Sequence, residues 1–292
     1  MTVRQSALPV LLFFALAPAV ASALDWPVEK RIVAGTFGEY RSGRFNDGLD
    51  IGGGEQDVRA VLPGEVVFRY DENSDYTSLP RGLGSFVALY HDGSVETIYS
   101  HLKRGTLDPS RPRYAAGERL GVAGDTGHAN GTQLHLTVYD VETASSVNPL
   151  TLLPPVADTQ MPVIRKVYLS MGDVMEPLDN GSKVPAGRAE IIAEAYDLRQ
   201  DVKFHWPIAP YSVRLTFDGK ELWKAVFDTL QAVDGRFAVS ATQLPIDAAY
   251  TRDGLLKCGT AELRPGSSRL ILSVRDFAGN ETTKEISFTV RE

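Results

Sequence analysis

Four polar side chains stand at spacings that could frame a metal ion. In SGRFNDGLDIGG, Ser42 to Gly53, the residues Asn46 and Asp50 lie four apart in an extended stretch, so both project to one side while Asp47 and Leu49 face the other. In HANGTQLHLTVYD, His128 to Asp140, Gln133 and His135 sit two apart, and Leu134 and Leu136 occupy the opposite face. A carboxylate and an imidazole are ordinary zinc ligands, but a neutral Asn oxygen is a weak donor for that ion. Gln133 can donate a hydrogen bond but cannot accept and return a proton near neutral pH as an imidazole does. Taken alone, the same residues also suit the polar face of a half-solvated sheet.

The elements that must position them are strands. Helical periodicity is almost absent after the first two dozen residues, and short alternating runs bounded by Gly, Pro, Asp and Asn recur throughout. VRAVLPGEVVFRY reads as strand, Pro-Gly turn, strand, and SFVALYHDGSVETIYSHL as a hairpin around Asp92-Gly93, which places His91 in a solvated turn. GERLGVAGDTG and TQLHLTVYD supply two further strands. From residue 150 to 162 the chain is proline-rich and loses alternation, as a linker does. Beyond it the alternating runs, among them VIRKVYLSM, AEIIAEAYD, YSVRLTFDG, GRFAVSA, RLILSVRD and KEISFTV, fit a β-sandwich of about seven strands.

The order of the segments RFNDGLDIGG, VRAVLPGEVVF, GSFVALYHDGSVETIYSHL and AAGERLGVAGDTGHANGTQLHL resembles, over roughly residues 40 to 153, the lysostaphin-type (LytM-like) zinc endopeptidases that cut peptide cross-links in bacterial cell walls. That family carries His-x-x-x-Asp, then Tyr-x-His-Leu, then His-x-His. The resemblance implies that Asp50 and His135 stand at metal-ligand positions, that His101 stands where a histidine assists the water or the oxyanion, that Asn46 replaces the first ligand histidine, and that Gln133 replaces the other catalytic histidine. The implied fold is all-β: an antiparallel LytM-like sheet domain of the duplicated-hybrid-motif type, followed by a C-terminal sandwich. RDFAGNET resembles the final hairpin of bacterial immunoglobulin-like domains. A catalytic zinc needs three good protein ligands to acidify its water, so no tightly bound cofactor is expected, with zinc only if the site is functional. Asp47, facing away, and His128, in the adjoining loop, are the substitute ligands within reach, and His205 belongs to the other half of the chain.

The chain begins with Arg4, an apolar run from Ala7 to Val20 interrupted by Pro9 and Pro18, and Ala21-Ser22-Ala23, the pattern of a cleaved export signal. The run is short for a bilayer span. The expected division is a signal peptide over 1–23, the LytM-like domain over 24–155 and the immunoglobulin-like sandwich over 156–292. Acidic residues outnumber basic ones, 37 to 30, which disfavours nucleic acid as a partner. The lone cysteine, Cys258, excludes an internal disulfide and reads as a buried filler or a loose thiol.

Three functions compete. The first is an exported, periplasmic or extracellular protein whose degenerate LytM-like domain is non-catalytic and binds peptidoglycan peptides or another envelope protein, regulating wall hydrolysis. The second is an active zinc endopeptidase with an atypical ligand set built on Asp50, His101 and His135. The third is a carbohydrate binder using Trp206, Tyr211 and Trp223 as a platform.

Overall fold

The computed structural model describes residues 24–73, 82–199 and 207–292; the signal pattern, His205 and Trp206 lie outside them. The molecule is nearly all β, as the alternation requires, with one four-residue α-helix, Ile246–Ala249, among the described residues. The first part supplies β1 (Ile32–Gly35), β2 (Leu49–Gly52), β3 (Asp57–Arg59), β4 (Gly64–Tyr70), β5 (Ser85–His91), β6 (Val95–Leu102), β7 (Arg113–Tyr114), β8 (Arg119–Val122), β9 (Leu134–Asp140) and β10 (Ser145–Val147). The second supplies β11 (Val163–Met171), β12 (Val174–Pro177), β13 (Lys183–Pro185), β14 (Gly187–Tyr196), β15 (Ser212–Phe217), β16 (Lys220–Val226), β17 (Thr229–Val233), β18 (Arg236–Val239), β19 (Leu244–Pro245), β20 (Leu256–Leu263), β21 (Gly266–Arg275) and β22 (Glu281–Arg291).

Strand β9 is the spine of the larger sheet. One edge pairs with β6, while the other is shared: β2 pairs with its first half and β10 with its second. The β5–β6 hairpin forms as its sequence predicts, with one difference. His91 pairs with Val95, leaving a three-residue loop in which both Gly93 and Ser94 take positive φ, and not a two-residue turn. Beneath the sheet, Leu49, Ile51, Leu89, Tyr99, Leu134 and Leu136 close a first core.

A second core lies between two sheets, ordered β12-β11-β14-β20 and β13-β22-β21-β15-β16. Val167, Leu169, Ile191 and Ala193 of the first face Leu215, Leu272, Val274, Ile286 and Phe288 of the second across it, so this region is a β-sandwich. It holds more strands than the seven predicted. GRFAVSA was expected in that sandwich, but its strand, β18, lies instead in the larger sheet: β17 pairs with β10 of the first part, and β18 and β19 follow outward. In return, Phe37 and Phe45 from the first part enter the second core beside Phe227 and Tyr250. Asn148 bridges the two, donating through Nδ2 to the Phe227 carbonyl at 2.9 Å. Cys258 is fully buried in the sandwich, and burial pushes its thiol up.

Candidate functional site

Alternation delivers the polar residues to one side of the larger sheet. Leu49 and Ile51 point into the core and send Asp50 to the other face; Leu134 and Leu136 do the same for His135. Asp50 and His135 are direct cross-strand partners in the β2–β9 ladder, so their side chains meet. Gly48 permits the approach, since a Cβ there would fall 2.5 Å from the Leu136 carbonyl and 2.7 Å from His135 Nε2. His101, next to last in β6, takes φ +62°, a left-handed conformation uncommon in a side-chain-bearing residue. It breaks the alternation that would send His101 to the same face as buried Tyr99. Backbone bonds from His101 N to the Leu83 carbonyl and from Gly124 N to the His101 carbonyl, both 2.9 Å, pin the kink.

These side chains line a groove of about 660 Å³ that includes Asn46, Asp47, Asp50, His101, His128, Gln133 and His135. Two residues that sequence reasoning passed over, Arg41 and Arg44, lie there too, and Arg199 and Phe237 join it from the second part. Asp47 was expected to face away. The strand begins only at Leu49, so alternation does not govern residue 47, and its Oδ1 lies 3.5 Å from His135 Nε2. His91 was expected in solvent but is buried, with Nδ1 at 2.8 Å from the Pro63 carbonyl and Nε2 at 2.7 Å from Thr97 Oγ1. It is a structural histidine.

The hydrogen bonds around Asp50 decide what the centre can hold. Oδ1 lies 2.7 Å from His135 Nδ1. Oδ2 receives the Arg41 guanidinium at 2.8 Å and the Asn46 amide nitrogen at 3.4 Å. The Asn46 amide is oriented by its other contacts: Nδ2 donates to the Thr36 carbonyl at 3.0 Å, and Oδ1 accepts from Gly48 N at 3.4 Å. Asn46 therefore presents a donor, not a lone pair, to the centre. His135 is occupied at both nitrogens, Nε2 lying 3.1 Å from Thr137 Oγ1 and near Asp47. Burial would raise the Asp50 carboxyl, but His135 and Arg41 outweigh it and hold it well below the usual range. Burial would lower the His135 imidazole, but bonds to Asp47 and Asp50 outweigh it and raise its affinity for a proton. For His101, burial and the nearby His135 charge lower that affinity, against a bond between its Nδ1 and the Thr126 carbonyl at 2.8 Å. The His101 and His135 rings meet edge to face, 6.0 Å between centroids.

Elsewhere, Asp158, Asp197 and Asp276 bring carboxylate oxygens within 4.8 Å of one another. Arg199 answers Asp158 at 3.1 Å, and Asp276 accepts from Gly279 N and Asn280 N in the loop between β21 and β22. Of the platform aromatics, Tyr211 stacks edge-on to Phe277 at 5.1 Å and Trp223 packs against the second core.

Residues 44–149 match the family model described as Peptidase family M23. The first part of the chain is an M23 domain. A second family model, which carries no functional description, spans residues 161–291. The chain is 30% identical over 134 residues to the cell division protein DipM of Caulobacter vibrioides, a match covering 44% of this chain and 20% of DipM. It is 28% identical over 114 residues to the DD-carboxypeptidase/endopeptidase Mpg of Neisseria meningitidis, covering 38% of this chain and 24% of Mpg. The chain thus spans about a fifth to a quarter of the curated relatives it matches. Among solved structures, the catalytic domain of lysostaphin from Staphylococcus simulans aligns with a TM-score of 0.32 at 21% identity, covering 40% of this chain and 86% of that one.

Proposed function

We propose that this is an exported cell-envelope protein whose M23 domain is non-catalytic, and that its groove binds peptidoglycan peptides or an envelope protein and so regulates wall hydrolysis. One observation carries the reading: at the M23 centre both Asp50 oxygens and both His135 nitrogens are engaged by protein groups, and Asn46 turns an N–H inward. A set in which each of the three residues is tied to protein partners and one is a neutral amide turned donor-first does not fit a catalytic zinc, which needs three deprotonated ligands and an open position. Gln133, lining the same groove, adds no proton carrier. Relatives described as a cell division protein and a DD-carboxypeptidase/endopeptidase support a cell-wall setting. Export rests on residues 1–23, and the division into 24–155 and 156–292 on the linker composition.

The test is metal analysis of the purified full-length protein, alongside co-sedimentation with, and release of fragments from, isolated cell walls. The expected result is binding to walls or to an envelope protein, with little zinc and no release. About one equivalent of zinc together with wall solubilisation would sink the proposal.

A further inference from the structure

We infer that Arg41 is the resident cation of the M23 centre: its guanidinium takes the place at Asp50 that a divalent metal would need, and keeps metal out even where a third ligand is supplied. The inference rests on the non-catalytic reading and extends it from missing ligands to an internal replacement for the ion.

The guanidinium is built in, not a passing surface contact. The arm carrying it folds back through the Tyr40–Phe45 bridge, with Arg41 N donating to the Arg44 carbonyl at 2.8 Å. Glu39, two residues before, projects to the same side and pairs with the other end of the guanidinium. Glu39 is itself fixed by the Thr36 backbone N–H, 3.1 Å from its second oxygen. The space is made by Gly35 at the end of β1, where a Cβ would fall within 2.5 Å of the guanidinium. Arg41 thus lies between two buried or nearly buried carboxylates, which are 14% and 8% exposed, in a planar fork suited to bridging them. An ion coordinated by Asp50 would have to expel this fork or sit beside its positive charge.

Three proteins separate the possibilities: the wild type, Asn46→His, and Asn46→His combined with Arg41→Ala. Each is incubated in micromolar zinc and desalted; zinc per chain is then measured by plasma emission, and affinity by competition with a chromophoric chelator. Circular dichroism and a thermal melt establish folding, and Arg41→Gln replaces Arg41→Ala if the alanine variant does not fold. The expected result is little zinc on the wild type and on Asn46→His, and about one equivalent on the double variant, bound at least about 100-fold more tightly than by Asn46→His. A full equivalent on Asn46→His alone, with an empty wild type, overturns the role of Arg41 and leaves the non-catalytic reading standing. A full equivalent on the wild type overturns the role of Arg41 and, where the same protein also solubilises cell walls, the non-catalytic reading with it. A folded double variant that takes no zinc also overturns the role of Arg41.

Discussion

Replacing Arg41 by Gln should destabilise the protein through Asp50, and the loss can be sized from the contacts. A hydrogen bond to a charged group contributes about 1.5–3 kcal/mol, and the Arg41 guanidinium serves two carboxylates, Glu39 and Asp50. Its side chain is 35% exposed, so water screens part of the effect, and about 2 kcal/mol is the expected cost. For a chain of this size that corresponds to a fall in Tm of about 4–8 °C. Glutamine keeps polarity but ends where the arginine Nε stands, so the change removes the charge together with both carboxylate contacts. Urea denaturation of wild type, Arg41→Gln, Asp50→Asn and the double variant closes a cycle that reads the Arg41–Asp50 coupling directly. The expected coupling is about 1–2 kcal/mol, and most of it should survive in 0.5 M salt because Asp50 is 8% exposed. A coupling below about 0.3 kcal/mol would mean that the 2.8 Å pair is a surface contact of no consequence, and the account of the centre would be refuted.

Gly48→Ala should cost about 2–3 kcal/mol, because the new methyl meets the Leu136 carbonyl at 2.5 Å and the His135 ring at 2.7 Å; a urea midpoint unchanged from wild type would contradict the packing described. Stability should also depend on pH through Asp197, whose carboxyl is pushed up from 3.8 to about 7, first by burial and then by the charge of Asp276. Between those values the folded state holds a proton that the unfolded chain has released, so stability is full below about pH 4 and is lost as pH rises towards 7. After discounting for solvent screening the loss is about 2 kcal/mol. Asp197→Asn should raise the urea midpoint at pH 8 and leave it nearly unchanged at pH 4.5, and a uniform shift at both would refute the assignment.

Much of the scaffold was legible because burial and alternation are local. VIRKVYLSM is β11 residue for residue, and the leucines flanking His135 and the Leu49–Ile51 pair flanking Asp50 assign the groove face correctly. What failed is what depends on partners distant in the chain. His91 looked like turn chemistry, and only the fold brings the Pro63 carbonyl to its ring. Strand β18 carries the right alternation but nothing in it encodes that β17 will pair with β10. Asp47 was misplaced because the start of β2 was read too early, and one residue of error reverses a side chain's face. The Arg41 position had a signal: Glu39 and Arg41 are two apart, hence on one side of an extended arm, five residues before Asn46. Polar residues in a glycine-bearing loop read as solvated surface, and that default concealed them.

The shared edge of β9 bears on how this protein can be taken apart. Because β17 continues the sheet from β10, and Phe37 and Phe45 are anchored in the opposite core, the halves do not behave as interchangeable cassettes. Cutting the chain near residue 155 would bare the β10 ladder, a template for self-association, and leave two aromatic rings uncovered. Grafting the second half onto another M23 domain would require a matching acceptor strand at the same register, Ser145 to Val147 opposite Gln231 to Thr229. The two halves are therefore expected to be expressed and engineered as one unit, and point substitutions rather than truncations are the perturbations that keep the groove intact.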